Sequence, residues 1–146
     1  MKLVVPLLTL GLLVAFTGSA MADAKVKAGP RHGRILELDG GNAEFFVEKD
    51  HTISIAFYNA AGKQQPPGAQ IITATAEAAN GKTKLEFEKK GDLLVSKAPL
   101  PAGEGYQIVV QAKTTADAKA KNFRIPLVLS ECGKCHNPEY ACICDE

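Results

Sequence analysis

The chain has no tryptophan, only two methionines and three histidines, and aromatic residues make up 6% of its 146 positions. Its 17 Lys and Arg nearly balance its 16 Asp and Glu. That balance offers neither the basic field that nucleic acid requires nor an acidic one. Cysteine is missing from the body of the chain: all four residues lie at or after Cys132. Collagen-like, coiled-coil and largely disordered organisations are excluded by composition.

Residues 1–22 read as a secretory signal. Met1-Lys2 give a short positive start, Leu3 to Phe16 is almost wholly apolar, and Ala20-Met21-Ala22 is an A-x-A cleavage site before Asp23. The apolar run is shorter than a membrane span, and no basic stop-transfer cluster follows it. The expectation is a periplasmic or secreted protein with no membrane anchor after cleavage. Cleavage would remove Lys2 and both methionines, leaving a formally neutral chain. Such a chain has no thioether ligand for copper, no Met axial ligand for haem and no Trp platform for a sugar or quaternary amine.

Period-two alternation dominates residues 33–130, between a flexible lead-in at 23–32 and a Cys-rich tail at 131–146. Ile53, Ile55 and Phe57 alternate with Thr52, Ser54 and Ala56, which predicts a strand with one buried face. The same rhythm marks 82–89, 105–113 and 123–129. Asn80-Gly81 predicts a two-residue type I′ hairpin, and Lys90-Gly91-Asp92 a second hairpin that joins 82–89 to 93–97. Residues 114–121 read as a loop or a single helical turn. Pro126 cannot donate a ladder hydrogen bond, so the last strand belongs at an edge or a bulge, with the following segment free to act separately. These signals predict an all-β fold: an antiparallel, immunoglobulin-like β-sandwich of seven to eight strands.

Chemistry concentrates in the tail. Cys132-x-x-Cys135 can form a tight knuckle, and Asn137-Pro138 favours a turn that brings Cys142-x-Cys144 back to close a four-sulfur shell, with His136 as a further ligand. Such a shell suits Zn²⁺, Cu(I) or Cd²⁺. Two disulfides are the alternative, because an exported protein meets an oxidising compartment; the protein would then be an interaction module contacting another envelope protein. A third reading is c-type haem, since Cys132-x-x-Cys135-His136 fits C-x-x-C-H. His32 is available as an added ligand or as a solvated side chain, and His51 reads as a surface turn residue. No nucleophile elbow, S-x-x-K, H-E-x-x-H or phosphate loop occurs, so the expectation is a protein that is not an enzyme.

Gly29-Pro30-Arg31-His32-Gly33-Arg34-Ile35-Leu36-Glu37, followed by Ala43-Glu44-Phe45-Phe46-Val47, residues 53–58 and Gly62-Lys63, resembles the leader and first strands of periplasmic adaptor proteins of heavy-metal efflux pumps. Those carry a G-P-H-G-G-R-[LI]-L stretch; here Arg31-His32-Gly33 stands in place of His-Gly-Gly. The adaptors' long helical hairpin and barrel have no counterpart. The resemblance implies a link to metal homeostasis, with an efflux component as partner.

Overall fold

The computed structural model describes residues 25–144. The expected signal peptide lies outside the described residues. Ten strands form two antiparallel sheets. The first sheet runs β1 (Arg34–Leu38), β2 (Gly41–Val47), β3 (Ile53–Asn59), β8 (Leu93–Ser96), β7 (Phe87–Lys90), with the two-residue β4 (Gln64–Gln65) also on β3. The second runs β10 (Lys121–Pro126), β9 (Gln107–Lys113), β5 (Ile71–Ala78), β6 (Gly81–Leu85). Among the described residues the one helical turn is 3₁₀, at Glu139–Ala141.

The inner faces supply a single core. Leu36, Ala43, Phe45, Ile53, Ile55 and Phe57 of the first sheet meet Ile72, Ala74, Leu85, Ile108, Val110 and Ile125 of the second. Alternation along β5 and β9 puts every second residue into this layer, as period two requires. The all-β sandwich expected from the alternation is what the chain forms. β10 is an edge strand of its sheet and Pro126 closes it, so the missing N–H breaks no interior ladder.

Three local expectations are corrected. The run 82–89 is not one strand: Glu86 separates β6 from β7, and the two halves belong to different sheets. The Glu86 carbonyl accepts from the Lys97 N–H at 2.8 Å at this crossing. Alternation alone cannot reveal such a switch, because the apolar side of both halves still faces one core. That split, with the short β4, raises the count above seven to eight. The β5–β6 hairpin forms one residue earlier than predicted: Ala78 pairs with Gly81, so Ala79 and Asn80 make the loop. Asn80 is not among the described residues with positive φ, so the turn is not type I′. The β7–β8 hairpin does form around Gly91, whose φ is 60°.

The third correction concerns β3, expected to bury one face. Residues 53–58 are all buried, Ser54 and Ala56 included. The outer face is covered by the lead-in, which is therefore ordered and not flexible. From Lys27 onward it folds back on the sheet: the Ile35 N–H donates to the Lys27 carbonyl at 2.8 Å, and Ala28 bridges Arg34. Residues 29–33 then form a tight loop, in which Gly29 N–H donates to the Gly33 carbonyl and His32 N–H to the Gly29 carbonyl.

That loop wraps a carboxylate. Glu44 points from β2 to the outer face yet is 0% exposed. Its Oε1 accepts the Arg31 and Gly33 N–H groups at 2.9 Å each, and its Oε2 accepts the Tyr58 hydroxyl at 2.7 Å. Burial of a carboxylate is tolerated because each oxygen has donors. A Cβ at Gly29 would overlap the Glu44 carboxyl, and one at Gly33 would overlap the Phe45 carbonyl. Arg31 completes the cover. Its guanidinium donates to Ser54 Oγ at 2.9 Å and Glu48 Oε1 at 2.6 Å, and lies 4.6 Å above the Phe46 ring.

Candidate metal centre

The tail returns to the sandwich after β10. Leu127 is buried in the core, and Tyr140 N–H donates to the Val128 carbonyl at 3.2 Å while Glu139 N–H donates to that of Ser130 at 2.9 Å. With the bridge between Glu131 and Pro138, these bonds make a narrow hairpin whose tip is residues 132–137. Tyr140 and Ala141 enter the core, so the tail is an integral part of the fold and not a free appendage. The 3₁₀ turn, closed by Ala141 N–H on the Pro138 carbonyl, swings Cys142 and Cys144 back towards the tip.

The four sulfurs converge. Cys142 Sγ lies 3.2 Å from Cys132 Sγ, Cys135 and Cys142 are 3.7 Å apart, Cys132 and Cys144 3.8 Å, and all four sulfurs lie within 4.8 Å of one another. None is paired as a disulfide. A tetrahedral ion with metal–sulfur bonds of about 2.3 Å requires sulfurs about 3.8 Å apart, so small adjustments of this cluster would accommodate one. Cys132 is buried, and the other three are half-buried.

Backbone amides electrostatically bias two of the thiols. The N–H groups of Cys135 and Lys134 donate to Cys132 Sγ and lower its pKa. Those of Ile143 and Asn137 donate to Cys135 Sγ and bring its pKa down to about 6. Cys142 is pushed the other way, to about 12, chiefly because its thiol donates to Cys132, while burial raises Cys144. The surroundings therefore favour the thiolate form at Cys132 and Cys135 and the thiol form at Cys142 and Cys144.

His136 stands apart from the sulfurs. Its Nδ1 is 2.7 Å from Glu131 Oε1, its side chain is exposed, and it is not in the convergent group. What it does locally is turn the chain: its φ is 59°, and its N–H donates to the Cys132 carbonyl at 2.9 Å. Histidine is among the residues that tolerate this left-handed conformation. His51 sits exposed in the turn between β2 and β3, as expected, with φ 62°.

His32 is the residue whose placement the sequence left open. Its Nδ1 is 2.7 Å from the Oδ1 of Asn137, a buried residue of the knuckle. The buried Glu44 and the Arg31–Glu48–Ser54 network were not anticipated at all. Their one signal was the pair of glycines flanking Pro-Arg-His, which marks a close backbone approach but does not say to what. No protein-family model, curated protein or solved structure matches this chain, so the fold and the four-cysteine cluster carry the functional argument.

Proposed function

We propose that the protein binds one thiophilic metal ion through the thiolates of Cys132, Cys135, Cys142 and Cys144, as an exported accessory or buffer in heavy-metal efflux or homeostasis. The observation that carries this reading is the convergence of the four sulfurs at separations near a tetrahedral edge. Tetrahedral four-thiolate geometry favours Zn²⁺ or its larger analogue Cd²⁺; Cu(I) shares the preference for sulfur. Amide donors aimed at Cys132 and Cys135 support it further, since N–H groups stabilise sulfur that carries negative charge, which a disulfide sulfur lacks. Three half-buried sulfurs leave the ion accessible to competing thiols, as suits a carrier that exchanges its cargo. The activity proposed is binding, not catalysis.

Elemental analysis of native protein, with competition against a chromophoric chelator, tests the reading. The expected result is one ion per chain, its loss in the Cys142→Ser/Cys144→Ser variant, and its retention in His136→Gly, which keeps the backbone turn. Metal-free protein lighter by the hydrogens of two disulfides would overturn it in favour of a disulfide-pinned interaction module. A red protein with a Soret band would favour the haem reading through Cys132, Cys135 and His136.

A further inference from the structure

We propose that His32 is a positioning residue of the four-cysteine site, acting through Asn137 and tying the N-terminal loop to metal affinity; this rests on the metal-binding reading above. Asn137 is the hub of the knuckle. Its N–H donates to Cys135 Sγ, and its carbonyl accepts the Cys132 N–H at 2.8 Å, so its main chain touches both members of the first cysteine pair. Its side chain is not free to relax, because the residue is 3% exposed and Oδ1 is held by His32 Nδ1 at 2.7 Å. An amide oxygen only accepts. His32 must therefore donate, which fixes a proton on Nδ1.

The donor is itself held from behind. His32 has φ 65°, and the residues on either side, Arg31 and Gly33, both donate their N–H groups to Glu44 Oε1. Its own N–H closes on the Gly29 carbonyl at 3.0 Å. A chain of contacts thus runs from the buried carboxylate on β2, through the loop, to the imidazole, to Asn137 and to the Cys135 sulfur. Asn137 is the partner one contact away from the ligand, the kind whose loss commonly alters affinity by about 10–100-fold; His32 acts one contact further back, by holding the Asn137 side chain.

Two substitutions separate the hydrogen bond from the backbone. His32→Gly removes the donor while keeping the positive φ without strain. His32→Asn also tolerates that φ and places an amide N–H where Nδ1–H stood. With Zn²⁺ in competition with a chromophoric chelator, His32→Gly should weaken binding by up to about 10-fold, the lower end of the effect of a direct ligand partner, and His32→Asn should recover most of the loss. The Co²⁺-substituted charge-transfer band should shift in His32→Gly and return in His32→Asn. Wild-type affinity in His32→Gly, or equal weakening in both variants, would overturn the proposal. Wild-type protein that binds no stoichiometric Zn²⁺ would instead overturn the metal reading itself. Should His32→Gly fail to fold, the ring ¹⁵N shifts of His32 in the zinc-loaded wild type decide: an Nδ1–H form supports the proposal, and the Nε2–H tautomer overturns it.

Discussion

Tyr140 meets Phe45 edge-on, with ring centroids 5.6 Å apart and planes at 87°. Its hydroxyl also accepts the Val47 N–H at 3.1 Å. One side chain thereby joins the cysteine-bearing tail to β2 in two ways, an aromatic contact inside the core and a hydrogen bond at the strand's end.

Tyr140→Ala should accordingly destabilise the whole fold and not merely fray the tail. Truncating a buried aromatic costs about 3–5 kcal/mol, whereas Tyr140→Phe, which loses only the hydroxyl contact, should cost about 0.5–1.5 kcal/mol. Urea unfolding of the metal-free protein measures both. Equal stability of Tyr140→Ala and wild type would mean that the tail does not pack as described.

Glu44 should be as important as a core residue. Glu44→Gln keeps an acceptor for the two amides but presents an NH₂ group to one side of a site built of donors, and a loss of about 1–3 kcal/mol is expected. Gly33→Ala should cost a similar ~1–3 kcal/mol, because the new methyl meets the Phe45 carbonyl and the Glu44 side chain. Chemical denaturation of the two variants should move the midpoint and leave the slope unchanged.

Cys135 should be the first tail thiol to react as pH rises. The Ile143 and Asn137 amides lower it from 9.0 to about 6, so the folded, metal-free tail binds fewer protons there than the unfolded chain. Its contribution to stability is therefore complete above about pH 9 and vanishes as pH falls through about 6. Cys142, raised to about 12, works in the opposite sense: its contribution is present below about 9 and lost as pH rises through about 12. Iodoacetamide labelling of reduced, metal-free protein, mapped by peptide mass, should show Cys135 reacting with a midpoint near 6 and Cys142 lagging. A common midpoint near 9 for all four cysteines would contradict the asymmetry.

Period-two alternation was enough to read the sandwich, because Ile53, Ile55, Phe57, Ile108, Val110 and Ile125 each take the inward position it assigns. Two features defeated it. Glu86 changes sheets without breaking the apolar rhythm, and Ser54 is small and polar yet buried, because Arg31 and Glu48 satisfy its hydroxyl. The convergence of Cys132, Cys135, Cys142 and Cys144 is the first of the three arrangements that their spacing allowed, and it was legible because a knuckle and a return turn are local devices. It did not separate His136 from the sulfurs: adjacency in sequence does not show that the backbone at that position turns left-handed. The contact between His32 and Asn137 was illegible for a different reason. It joins the two ends of the chain, and no local pattern specifies that.

Glu86 also decides what the sheet edges look like. By dividing one run between two sheets it leaves β6 and β7 as outer strands, and both are studded with charge: Lys82 and Lys84 on one, Glu88, Lys89 and Lys90 on the other. β10, on the remaining side of its sheet, carries Lys121, Arg124 and the donor-less Pro126. Charged side chains and proline on an edge discourage another chain from extending the ladder. On these three edges fibril growth and strand exchange are disfavoured by the same side chains.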